Sequence, residues 1–328
     1  MKKLLIYLKD YKKETVLAPL FKMLEASFEL FVPLVVAAII DEGIASQDRL
    51  FILQRCGILI LLGLIGLTCS VTAQYYAARA AVGFTGQLRR ALFRHIQSLS
   101  YTELDTVGTS TLITRMTSDM NQVQNGLNLT LRLFLRSPFV VFGAMIMAFQ
   151  IDVKCALIFL VTIPVLSVVV FGIMLISMPL YRKVQQRLDA VLGIARENLI
   201  GVRVLRAFCK EKEETERFRQ KNQELTGLQK YVGRISALLN PLTYVIINLA
   251  IIILIRTGAA QVELGILTQG QVVALYNYMS QILVELIKLA NLIISMTRAA
   301  ACANRIQSVF EIRSSMPDTA KAAPDREE

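Results

Sequence analysis

GQLRRALFRHIQSLSYTELD (86–105) and TSTLITRMTSDMNQVQ (109–124) decide how this chain folds. The first continues an apolar run at 56–78 with no proline between them, and the second leads into another apolar run at 131–151. Apolar positions recur near helical spacing through both polar stretches: Val82, Leu88, Leu92, Ile96 and Leu99 going out, Leu112, Met116, Val123 and Leu127 coming back. A helix over 56–99 at ~1.5 Å per residue is roughly 66 Å long, and a bilayer core takes about 30 Å of it. The reading predicts two membrane helices that run far past the bilayer and meet in a short turn at 101–105, before Gly108. A second copy of the arrangement occupies 181–234. It goes out through Leu188, Val191, Leu192 and Ala195 to a tip near 197–208, and returns from the charged run Lys210-Glu211-Lys212-Glu213-Glu214. That Lys/Glu mixture suits a solvated helix face.

Composition agrees with a membrane protein: 54% of the 328 residues are hydrophobic and mean hydropathy is +0.51. Six runs are long enough to span, at about 16–40, 56–78, 131–151, 155–178, 235–255 and 271–295. The predicted class is therefore an all-α membrane protein with six transmembrane helices and two long cytoplasmic helical hairpins. Charge sets the orientation. The loops at 41–55, 152–154 and 256–270 carry four Lys or Arg together, against seven in 79–136, thirteen in 182–234 and six in the first 22 residues. Excess Lys and Arg marks the cytoplasmic side, so both hairpins and both termini are expected there. The net charge of +11 is then a topology signal, and its alternation with acids along helices argues against a nucleic-acid surface. Residues 1–14 read as an amphipathic elbow helix on the inner leaflet, with Leu4, Leu5 and Leu8 toward lipid, and not as a signal peptide. The five cysteines are widely spaced and there is one histidine, so neither a disulfide framework nor a zinc cluster is expected.

Ionisable residues inside spans are costly and point to function. Glu25 and Glu29 share one face of span one, and Glu285 and Lys288 form an i, i+3 pair in span six. With Asn248 and Asn291 they make a candidate cavity (Glu25, Glu29, Asn248, Glu285, Asn291) in which the carboxylates would meet cationic amphiphiles; mutual neutralisation of Glu285 and Lys288 is the competing reading. Tyr244, Tyr276, Tyr278, Met279 and Met296 could supply an adaptable apolar wall. Arg132 and Arg136, just before Pro138, are expected to snorkel to inner-leaflet phosphates. Pro164 and Asn240-Pro241 are expected to distort spans four and five. The tip residues Val202, Val204, Leu205 and Phe208, with Arg203 and Arg206 between them, are unusually apolar for a loop in water; they either pack between the hairpins of this protein or plug a groove on a partner.

Six phrases in order carry a resemblance: IIDEGI (39–44), LRRALFRHIQSLSYTELD (88–105), STLITRMTSDMNQVQ (110–124), RENLIGVRVLRAFCKEKEETERF (196–218), LTQGQVVALYNYM (267–279) and RAAACANRIQSVFE (298–311). Over residues 1–312 the chain resembles the transmembrane domain of a bacterial ABC exporter half-transporter of the multidrug or lipid type. The resemblance implies a homo- or heterodimer with a second exporter half, in which helices four and five cross to the other subunit. It also implies nucleotide-binding domains as partners. Tyr101, Glu103, Leu104 and Asp105 would form one coupling helix against them. Gly201, Val202, Arg203, Val204, Leu205, Arg206 and Phe208 would form the other, docking on the opposite subunit's domain. The mechanism implied is ATP-driven alternating access in the bacterial plasma membrane.

No Walker A loop, G-x-x-x-x-G-K-[ST], and no LSGGQ-like signature occurs in the 328 residues. The elbow at 1–14 and the transmembrane domain at 15–312 are followed at 313–328 by a polar stretch that reads as the start of a linker to a nucleotide-binding domain absent from the chain. The expectation is thus no catalytic, metal or cofactor residues here, with ATP and Mg on the nucleotide-binding domains, and export of hydrophobic or amphiphilic compounds as the function of the assembly. The alternative is a non-transporting membrane scaffold or sensor derived from an exporter half. A membrane enzyme is disfavoured, because HExxH, GxSxG and a Cys/His pair are all missing.

Overall fold

The computed structural model describes residues 2–312, 314 and 315, so most of the predicted linker at 313–328 lies outside the described residues. Among these residues every regular element is helical. Six helical stretches are long and apolar enough to cross a bilayer, at 6–44, 49–97, 109–151, 153–200, 211–263 and 269–310. Each contains one of the six spans read from the sequence.

A 3-10 stretch, Lys2–Tyr11, leads into α1 (Lys12–Ala38), which a π turn at Ile39–Ile44 extends. α2 (Arg49–Gln97) begins earlier than the hydropathy suggests, because the Asp48 carboxylate accepts the N–H groups of Leu50 and Phe51 and caps the helix. Its 49 residues reach roughly 73 Å at ~1.5 Å each. The turn contains α3 (Tyr101–Val107) and, after Gly108 at φ +81°, α4 (Thr109–Thr114). A π turn, Arg115–Asp119, then opens α5 (Met120–Leu133). The third span is interrupted at Phe134-Leu135 before α6 (Arg136–Ile151), since Pro138 has no N–H for the carbonyl of Phe134.

α7 (Val153–Ile200) runs unbroken through Pro164 and Pro179; a membrane helix tolerates the lost bonds where neighbours or local adjustments re-satisfy them. Then come α8 (Val202–Ala207), α9 (Glu211–Ala237), α10 (Leu239–Glu263) and α11 (Gln269–Phe310). The expected distortion near Asn240-Pro241 is the interruption at Leu238, where Pro241 cannot donate to the carbonyl of Ala237.

The helices form two compact units, one made of the residues up to Ile151 with those from Leu267 on, the other of Asp152–Ile266. In the first, Ala18, Ala77 and Ala80 are fully buried beside Leu131, small residues that let backbones come close where lipid gives no hydrophobic drive. Phe84, Leu88 and Leu92 of α2, Leu112 of α4, Met120 and Val123 of α5, and Ile306 of α11 form the core of the hairpin. The predicted stripe is largely there, but Val82 is exposed. Leu4 also departs from expectation: it is buried in this core with Leu8 packed against it, where the sequence suggested lipid.

The IIDEGI and LTQGQ phrases meet in the same unit. Asp41 accepts the Gly270 N–H at 2.7 Å and the Thr268 hydroxyl at 2.5 Å, and a Cβ on Gly270 would strike the Ala37 carbonyl oxygen. In the second unit α7 packs on α9 and α10. Val191 and Ile194 are buried on α7, Leu225 and Val232 on α9, while Leu192 faces outward.

Candidate functional site

The interruption before α6 sets Arg136 at the head of that helix, beside acids from α1 and α11. Its Nη1 donates to Glu285 Oε1 at 2.7 Å and its Nη2 to Glu29 Oε2 at 2.5 Å. Glu285 also accepts the Ser137 hydroxyl at 2.9 Å and the Lys288 ammonium at 2.8 Å. Glu29, Glu285 and Lys288 border a cleft of about 510 Å³ with Val32, Val36, Val140, Asn277 and Gln281 in its walls. The two carboxylates differ: the Glu285 side chain is 4% exposed and Glu29 is 43% exposed.

Arg136 therefore does not snorkel. Its side chain is only 8% exposed, because a planar fork held by two carboxylates has no need of lipid phosphates. The sequence hides this, since the partners stand 149 and 107 positions away. Glu25 has a partner as well: Lys22, at 2.5 Å, which also donates to Ser70 at 3.0 Å. Three acids thus stand beside three bases (Lys22, Arg136, Lys288): Glu285 and Lys288 pair as the competing reading has it, and Arg136 joins them.

Of the five candidate cavity residues, Glu29 and Glu285 line this cleft. Glu25 lies one turn earlier on α1, paired with Lys22. Asn291 is exposed on α11, its carbonyl accepting the Ser295 hydroxyl. Asn248 belongs to the other unit, where it is exposed and donates to the Tyr244 carbonyl. Two members of the proposed apolar wall are packing residues instead: Tyr278 and Met279 are fully buried, and the Tyr278 hydroxyl donates to the Leu30 carbonyl at 2.6 Å.

Both hairpin tips fall where the sequence put them. At the first, Ser100 and Glu103 form a capping box that starts α3. Glu103 Oε2 accepts the Ser100 N–H at 2.7 Å and the Ser100 hydroxyl, and its Oε1 accepts the Ser315 N–H at 3.2 Å. The hydroxyls of Ser100 and then Ser315 hold the Glu103 carboxyl down at about 2. Tyr101 is 85% exposed and Asp105 is exposed, whereas Leu104 packs on the hairpin core.

At the second tip α8 runs over Val202–Ala207, with Gly201 and Phe208 at its ends. Phe208 is 72% exposed, and Leu199, Ile200 and Val204 are exposed beside it. A groove of about 540 Å³ next to them is lined by Ala195, Leu199, Val202, Leu205, Arg206 and Phe218. Leu199 and Ile200, at the end of α7, are exposed here too, beside the tip residues singled out from the sequence.

Residues 15–286 match the family model for the ABC transporter transmembrane region. The chain is 32% identical over 311 residues to the uncharacterized ABC transporter ATP-binding protein YfiB of Bacillus subtilis, covering 95% of this chain and 54% of that protein. An uncharacterized ABC transporter ATP-binding protein of Mycobacterium tuberculosis is 31% identical over 323 residues, 97% of this chain and 55% of the relative. A multidrug efflux ATP-binding/permease protein of Mycobacterium bovis is 25% identical over 322 residues, 97% of this chain and 26% of its own length. The chain thus spans about half the length, or less, of these relatives. Six spans, two long hairpins and this match over most of the sequence place the chain in the ABC transporter transmembrane-region family.

Proposed function

We propose that this chain is the membrane-spanning part of an ATP-driven exporter that moves hydrophobic or amphiphilic compounds, drugs or lipids, by alternating access across a bacterial plasma membrane. Both termini are cytoplasmic in this reading, and a second exporter half completes the dimer. ATP and Mg are held by nucleotide-binding domains, and what residues 15–286 supply is mechanical. Long rigid helices carry a movement at the hairpin tips to the spans, the kind of rigid-body motion by which packed elements transmit force.

The observation that carries the proposal is the bare apolar face of the second tip, Leu199, Ile200, Val204 and Phe208 on a helical turn. Such a face in water is a docking surface, and the family supplies an occupant, the nucleotide-binding domain. The name of the Mycobacterium bovis relative, multidrug efflux, supports amphiphilic compounds as the cargo. Inside-out vesicles from cells that make the chain with its nucleotide-binding partner test the reading. ATP-dependent uptake of a fluorescent amphiphile, abolished by Phe208→Asp, is the expected result. Stable capture of the partner with no ATP-dependent uptake of any amphiphile would replace the exporter with a membrane scaffold.

A further inference from the structure

The charges around the cleft are not equal in what they have left to offer. Glu285 is saturated by Arg136, Ser137 and Lys288. Glu29 gives one oxygen to Arg136 and is half-exposed, so its other oxygen is open to the cleft. Lys288 is also half-exposed and spends one N–H on Glu285, leaving two of its three donors. The rest of the lining includes the aliphatic side chains of Val32, Val36 and Val140.

We propose that this cleft takes amphiphiles whose headgroup is zwitterionic, an ammonium at Glu29 and an anionic phosphate or carboxylate at Lys288, with the tail along the valines. The proposal rests on the exporter reading above and narrows its cargo. Its physical basis is neutrality. Glu29, Arg136, Glu285 and Lys288 sum to zero, so a purely cationic ligand adds an uncompensated positive charge beside Arg136 and Lys288. A purely anionic one adds a negative charge beside Glu29 and Glu285. An uncompensated charge in apolar surroundings is costly, whereas a zwitterion satisfies both open groups and leaves the sum unchanged.

The test uses the full chain in nanodiscs of phosphatidylglycerol, a lipid that lacks the ammonium. Equilibrium binding is measured for three radiolabelled probes of one tail length: hexadecyl phosphoethanolamine, hexadecylamine and hexadecyl phosphate. The zwitterion is expected to bind about tenfold more tightly than either singly charged probe, the size of one desolvated charge contact. Glu29→Gln should weaken the zwitterion about tenfold and strengthen hexadecyl phosphate; Lys288→Gln should weaken the zwitterion and strengthen hexadecylamine. Such opposite crossovers cannot come from a general loss of folding. Hexadecylamine binding most tightly, or the absence of crossover, overturns the proposal. Three probes bound equally, in wild type and variants alike, would spare the amphiphile exporter and remove only the headgroup selection. No binding of any probe would remove both.

Discussion

The first hairpin is stitched and the second is bare. At the first, His95 Nε2 lies 3.0 Å from the Val309 carbonyl oxygen, its ring meets Phe310, and Glu103 collects both Ser100 and Ser315. Deeper in the same hairpin the buried Asp119 carboxylate is gripped by Arg305 at 2.5 and 3.0 Å and by Arg115 at 2.7 Å. The end of α11 is thus fastened along the whole outer part of that hairpin. Among the described residues the second hairpin's ion pairs are mostly exposed, such as Lys210–Glu213 and Arg187–Glu224, and its apolar tip residues are largely exposed. Internal bonds make the first a rigid rod joined to α11. The second leaves its apolar tip residues exposed, and in the proposed reading that surface is what grips a nucleotide-binding domain.

The difference is broken most directly at Phe208. Replacing it with Asp should leave the melting temperature of the purified chain unchanged, because the ring is mostly in water. Partner-dependent ATP turnover should fall about 100-fold, as loss of a central aromatic anchor costs about 2–3 kcal/mol of binding. Turnover assays with the nucleotide-binding partner, beside thermal melts, separate the two effects. A large drop in melting temperature with normal turnover would mean that this tip is structural like the first.

Asp119 should behave in the opposite way. Asp119→Ala strands two arginines, and breaking a buried pair costs several kcal/mol. Because the Arg305 side chain is close to half exposed, water recovers part of that, leaving about 2 kcal/mol. Denaturant unfolding in detergent reads this directly. Loss of less than a quarter of that figure would show that the apolar core of Leu88, Leu92 and Ile306 holds the hairpin without the ion pairs.

The contrast also explains what could be read from the sequence. Leu88, Leu92, Leu112 and Val123 announce the first hairpin because helical spacing is a local signal. Both tips, and the six spans, are local in the same sense. Arg136 is not. Its role depends on Glu29 and Glu285 arriving from α1 and α11, and one arginine beside a proline looks the same whether it snorkels or is buried. Leu4 misled for a related reason: an amphipathic segment advertises an apolar face without saying whether lipid or protein covers it. The compensation of Glu25 by Lys22 was legible, three positions apart on one helix face.

A finer cut tests the stitch at the first tip. Ser100→Ala removes the cap hydroxyl of α3 and should lower the melting temperature slightly. The same bond has a pH signature. Glu103 is held at about 2 from an ordinary 4.5, so the unfolded chain takes up the proton first as pH falls. The contribution is complete above about 4.5 and is lost as pH drops toward 2. Wild type and Ser100→Ala should therefore converge in stability across that window. Curves that stay parallel down to the acid end would show that the hydroxyl does not act through the carboxylate.

The smallest effect belongs to the second hairpin. Arg187→Ala removes a 2.7 Å bond to Glu224 between α7 and α9. Both side chains are well exposed, so solvent screens the pair and each long chain regains rotamer freedom when released; the expected cost is below ~0.5 kcal/mol. Buried Val191, Ile194, Leu225 and Val232 are expected to hold the helices together instead. Replacing Val232 by Ala, which trims a fully packed β-branched side chain, should destabilise several times more than losing Arg187. If the two melts reversed that order, the second hairpin would be held by its charges. Its bare tip would then sit on a scaffold as stitched as the first, and the asymmetry between the hairpins would reduce to the tips alone.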